Sequence, residues 1–207
     1  MALDGTYAGL LASVAQWLER TDMTTVIPDL VTLAEARIAR DLRLRTQITT
    51  TTSTTTANTE SIALPTGWLE FENLSLKTTP GRSLVYETPE QLESRFPTGY
   101  GTGRPAAYTI VGTNLILAPI PNDAYPVEMV FYKKFDTLAS AGTNWLITNY
   151  PSIYLNACLA EASAFLDQDD ARIARWEAKY RAEVKSLSTT DDTAIRSGST
   201  LRVRAIV

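Results

Sequence analysis

The sequence predicts an α+β fold: a four-helix bundle-like core from N- and C-terminal helix pairs, an inserted antiparallel β-rich lobe, and a C-terminal extended arm. Three observations predict it. Apolar residues recur at i, i+3, i+4 and i+7 near the start of the chain. From residue 46 to about 136, short Thr- and Val-rich segments alternate with Pro and Gly turns. The helical period then returns after "GTNWLITNYP". Packing both helix pairs into one bundle, with the strands as a lobe, buries these faces most economically. The expected boundaries are 1–45 and 145–197 for the helices, 46–144 for the lobe and 198–207 for the arm.

The first helix is predicted from Thr6 to Glu19, with Tyr7, Leu10, Leu11, Val14, Trp17 and Leu18 on its apolar face. Pro28 suits the first turn of the second, and Asp29 places negative charge at the positive end of the helix dipole. Leu30, Leu33, Ala34, Ile38 and Leu42 form its stripe, with Arg37, Arg40, Arg43 and Arg45 on the other side or at the carboxyl end.

The run "TQITTTTSTTTANTESIALP" resembles a linker in its low complexity, yet it has no Gly and no Pro before Pro65. Threonine's branched β-carbon favours extended backbone. Thr46 to Thr52 and Thr59 to Leu64 are therefore predicted as strands joined by a turn near Ala57 and Asn58. Further strands are expected in "LEFENLSLK", "SLVYET", "AAYTIVG", "NLILAPIP" and "YPVEMVFYKKF". The alternation from Leu69 slips after Asn73, which predicts a bulge or bend. In "TPEQLESRF", Thr88 as cap, Pro89 in the first turn and Gln91 as its reciprocal partner predict a short helix. The lobe core is assigned to Trp68, Phe71, Tyr86, Tyr108, Leu115, Leu117, Phe131 and Phe135. A helix apolar on most faces follows from Ile153 to Leu166, then a break at Asp167 to Asp170. A last helix carries Ile173, Trp176, Tyr180, Val184 and Leu187 on one face.

Composition narrows the function. Of 207 residues 19 are basic and 23 acidic, and a net charge of −4 gives no general electrostatic reason to hold nucleic acid or an anionic membrane. There is no histidine, which removes Ser-His-Asp and Cys-His nucleophiles and histidine metal ligands together. The single Cys158 forms no intramolecular disulfide and reads as a small buried hydrophobe. No secretory signal is evident, and no segment reaches the ~20 apolar residues needed to span a bilayer. A reducing cytoplasm is the expected place of synthesis and assembly.

Local motifs carry little chemistry. "GYGTGRP" (99–105) lacks the lysine and the following helix of a phosphate cradle, so a flexible loop is expected. "DQDD" (167–170) lacks the glycine and distal glutamate of a calcium loop and reads as a helix corner capped by Asp169 or Asp170. Glu161 and Glu177 would serve a carboxylate-dependent hydrolase, acting for instance on peptidoglycan, only if they faced one cleft. The arginines Arg37, Arg40 and Arg43 suit a helix carboxyl end or a subunit interface. At the C-terminus, Leu201, Val203, Ala205 and Val207 alternate with Thr200, Arg202, Arg204 and Ile206 after Gly198, a strand-like arm able to add to a sheet edge.

The opening "YAGLLASVAQWLERTDMTTVIPDLVTLAEARIARDLRLR", then "ALPTGWLEF", "TGRPAAYTIVGTNLILAPIP" and "NWLITNYPSIYLNACLAEASAFLDQDDARIARWEAKY", resemble in that order the phage adaptor proteins of head-tail connectors. The similarity runs from about residue 6 to 198. It implies a virion protein without catalysis or cofactor. Such a protein would form a ring, typically a dodecamer, between the portal protein and a tail tube or nozzle protein, at the head-tail junction. It also implies that Leu201, Arg202, Val203, Arg204, Ile206 and Val207 reach the portal, and that DNA passes through the channel without specific binding. The acidic balance suits such a channel, since it repels phosphates. Arg37, Arg40 and Arg43 are the expected ring-interface residues.

Overall fold

The computed structural model describes residues 3–97 and 101–197. The chain separates into two compact units, residues 46–134 and the flanking 3–45 with 135–197. Both α and β structure are present, and the sheets are mostly antiparallel.

In the helical unit, α1 (Tyr7–Leu18) begins where Thr6 accepts from the Gly9 amide. Next, α2 (Ile27–Asp41) carries Pro28 in its first turn, and α4 (Leu138–Ala141) and α5 (Trp145–Asn149) are short. Two longer helices follow, α6 (Pro151–Phe165) and α7 (Asp170–Ser197). α6 is the centre: α1, α2, α5 and α7 all pack on it. Its buried residues run from Ile153 through Ala160 without a gap, so that stretch leaves no face for water. Ala157, Cys158 and Ala162 are fully buried small residues that let neighbouring helices approach closely. Burial pushes the Cys158 thiol pKa up, which keeps it protonated and inert.

Several positions differ from the sequence expectation. Leu33 is 54% exposed and Val31 is buried instead, because the α2 core face runs Ile27, Leu30, Val31, Ala34, Ile38. Phe165, at the end of α6, is exposed. Phe135 packs against the helical core, not the lobe. Residues 135–144 accordingly lie with the helices, where Leu138 is fully buried and its amide donates to Glu35 at 2.7 Å. α4 and α5 are absent from the sequence reading. Their signals are local: Asn144 caps α5 through the Ile147 amide, and Gly142 closes α4 at φ +74°, a backbone setting that glycine adopts without strain. α7 continues past Leu187 to Ser197, with Thr189, Thr190 and Thr193 bonding back to carbonyls four residues earlier.

Among the described residues the β-rich unit holds ten strands. They are β1 (Ile48–Thr54), β2 (Ser61–Ala63), β3 (Trp68–Leu76), β4 (Arg82–Ser83), β5 (Val85–Tyr86), β6 (Thr102–Gly103), β7 (Ala107–Val111), β8 (Asn114–Ala118), β9 (Ile120–Pro121) and β10 (Pro126–Lys133). One sheet runs β1-β10-β3-β4 and a second β2-β8-β7-β5, while β6 and β9 pair in parallel. Leu74, Leu76, Val127, Met129 and Phe131 of the first sheet share a core with Leu115 and Leu117 of the second, so the two sheets face each other. The opposite face of the second sheet is covered by α3 (Pro89–Arg95), with Leu92 against Ala107 and Ala118. Thr88 and Gln91 form the reciprocal cap that the sequence predicts.

The threonine run becomes a 3₁₀ turn at Arg45–Gln47, then β1, with the turn at Ala57–Asn58 in place. Asn58 takes φ +61° there, tolerable for asparagine. β1 and β2 do not pair with each other; they enter different sheets. β3 carries two irregularities, the first at Glu72, where Asn73 pairs with Val130 but Phe71 with Phe131. "SLVYET" is not one strand. Leu84 still bonds β3 through its amide, and Val85 then crosses to lie parallel to β7, which leaves Tyr86 55% exposed rather than in the core. No helix among the described residues is long and apolar enough to cross a membrane.

Candidate functional site

Arg37 stands three residues beyond Ala34 on α2, so helix geometry puts it at the margin of the buried stripe. Its side chain is only 15% exposed. Nη2 donates to both carboxylate oxygens of Glu177 on α7, each at 2.5 Å, and Nη1 reaches Oε1 of Glu161 on α6 at 3.4 Å. Nε lies 3.7 Å from Asp41, and the guanidinium sits 4.3 Å from the centre of the Tyr180 ring. The Tyr180 hydroxyl donates to Asp41 at 2.9 Å. One cation thus ties α2, α6 and α7 together.

The electrostatics follow from that geometry. The hydrogen bond from Arg37 holds the Glu177 carboxyl below its ordinary pKa, helped by the Arg37 charge and by Arg181, which donates at 2.6 Å, although burial opposes them. Burial pushes the Tyr180 phenol up, and its bond to Asp41 adds to the effect. Glu161 and Glu177 do meet in one place, but on a shared guanidinium. Held ionised in this way, Glu177 joins Glu161 in bracing Arg37 between the three helices.

The other arginines of α2 serve different ends. Arg43 Nη1 donates to the carbonyls of Ala39 and Leu42 at 2.7 and 2.8 Å, closing the helix carboxyl end. Arg45 gives both its amide and its Nε to Asp191, at 2.8 and 2.9 Å, fastening the end of α2 to α7. Arg40 is different: its side chain is 75% exposed and lies 3.7 Å from Asp41.

At the helix corner, Asp169 accepts from the Arg172 amide at 2.7 Å and caps α7. The "GYGTGRP" loop is more ordered than expected over its second half. Thr102 and Gly103 pair with Ile120 and Pro121, and Arg104 donates to Thr78 and to the Pro80 carbonyl. Gly99 and Tyr100, like Leu201, Arg202, Val203, Arg204, Ile206 and Val207, lie outside the described residues.

Three surfaces escape the sequence reading. Phe135 stacks on Trp145, which meets Tyr150 at a tilt, at 6.2 and 5.6 Å between ring centres, with Trp145 and Tyr150 exposed. Leu92 and Phe96 of the α3 region, with Ile116 and Ala118, line a groove of about 630 Å³ that also contains Thr109. The third is β1, paired along its whole length to β10 on one side and bordered by no strand of the described residues on the other. Its inward-facing Thr49, Thr51 and Ser53 are half-buried and its outward-facing Thr50, Thr52 and Thr54 exposed. Hydropathy could not reveal this alternation, since threonine occupies both faces.

No curated protein matches the chain. The family model described as SU10 adaptor protein matches residues 5–204. The chain therefore belongs to the SU10 adaptor family, a family of phage head-tail adaptors.

Proposed function

We propose that this structural adaptor assembles into a closed ring of identical subunits, a dodecamer, at the head-tail junction of the virion. The portal protein lies on one side and a tail tube or nozzle protein on the other, and DNA passes through without specific binding. The family match over residues 5–204 is the observation that carries this reading. The net charge of −4 agrees with a channel that does not retain phosphate.

Closure of a ring requires two different faces of one subunit to match. Arg37 and Arg43 are engaged within their own chain, so Arg40 is the arginine of α2 best able to reach a neighbour. Arg40→Glu is expected to lower the ring population about tenfold at fixed concentration, as for one lost interfacial charge contact. Its circular dichroism should match wild type. Native mass spectrometry checks this, and full-strength rings from Arg40→Glu exclude it from the interface. The ring itself is tested by weighing the purified protein with and without purified portal. A monomer under both conditions overturns the reading.

A further inference from the structure

We infer that β1 is a docking edge, and that a second copy of this chain fills it with the strand-patterned segment Thr200–Val207. The inference rests on the ring reading and names the contact that links one subunit to the next.

An open strand edge exposes a row of unpaired amide and carbonyl groups, and proteins ordinarily blunt such edges with shortness, proline, lysine, charge or a bulge. The other margins of these two sheets are blunted: β4 and β5 have two residues each, β2 has three, and β4 follows Pro80 and Gly81. β1 has seven residues, "ITTTTST", with no proline, charge or glycine. Its pairing with β10 is regular throughout, whereas the β10–β3 ladder shifts twice. An edge of this length and regularity is suited to accept a strand.

The inward face of β1 indicates the kind of strand. Thr49, Thr51 and Ser53 lie opposite Phe131, Met129 and Val127, all in the apolar core, yet remain only half-buried at the sheet margin. A strand with apolar residues at every second position would extend that core over them. Its alternate residues would stand beside Thr50, Thr52 and Thr54, on the face that carries Glu128 opposite Thr52. That position suits polar or basic side chains. Leu201, Val203, Ala205 and Val207, alternating with Thr200, Arg202, Arg204 and Ile206, supply the apolar face throughout and the polar or basic face at three of its four positions. Pairing between copies is heterologous and propagates around a ring, and many arms held at once give a long-lived assembly from individually weak strands.

Three full-length proteins test the inference: wild type, Val203→Asp in the arm and Thr51→Lys on the edge. Lysine on the inward face of an edge strand blocks strand addition while the half-buried site tolerates it. By native mass spectrometry, wild type should give rings, and both variants should lose them at least about tenfold with unchanged thermal melting. Rings persisting undiminished in both variants overturn the pairing and leave the ring reading intact. If wild type is a monomer, the ring reading fails, and a labelled peptide of residues 198–207 decides the edge. Saturable binding of that peptide to the Val203→Asp protein, lost when Thr51→Lys is added, supports β1 as its acceptor. Absence of binding, or binding to purified portal alone, overturns it.

Discussion

Replacing Arg37 with alanine is expected to destabilise the protein by about 3 kcal/mol, lowering the melting temperature by about 10 °C. The substitution removes the one cation at which Glu177, Glu161 and Asp41 converge. Those carboxylates stay partly in contact with water, which places the cost at the lower end for a broken buried pair. Lysine should restore only part of the loss, because a point charge cannot engage both oxygens of Glu177 as the planar guanidinium does. Urea denaturation followed by circular dichroism measures this. A change below about 1 kcal/mol would mean that the cluster contributes no more than a surface ion pair.

The same cluster sets a pH dependence. The folded-state pKa of Glu177 lies below its ordinary 4.5, so its contribution is complete above that value and is lost as the pH falls through the depressed folded-state value. The stability difference between wild type and Arg37→Ala should therefore be constant from neutrality to about pH 5 and shrink below it. A gap that widens on acidification would assign the effect to some other group.

Phe131→Ala is expected to cost about 4 kcal/mol, chiefly through the cavity left between the two sheets. The ring is buried among Leu and Met side chains and meets Phe71 edge-to-face, 6.3 Å between centres. The neighbouring backbone is fixed by ladders on both sides of β10, so the site cannot collapse to fill the void. A loss near 1 kcal/mol would show that the lobe core relaxes freely.

What could be read from the chain beforehand depended on periodicity. α1, α6 and the cap of α3 announce themselves because their apolar spacing or their Thr-Pro-Glu-Gln signature is local. α4 and α5 do not, since a helix of one turn has no period to detect and depends on Asn144, Gly142 and burial of Leu138. From Ser188 to Thr193 α7 is polar all round, so only its hydrogen bonding, with Asp191 held by Arg45, marks that stretch as helix.

For the candidate surfaces the division is sharper. Arg37, Glu161 and Glu177 were all visible as ionisable residues on helices, but their meeting requires α2, α6 and α7 to pack, with separations of 124 and 140 residues along the chain. Tyr180 and Asp41 join for the same reason.

By itself the sequence determined the α+β class, the threonine run as extended structure and the family, because each depends on residue type and short-range order. Tertiary structure alone decided which arginine is buried and which is open, and which threonines face a core. It also decided that β1 ends a sheet among the described residues. Each of these depends on which distant segments come to lie side by side, and no local pattern encodes that neighbour.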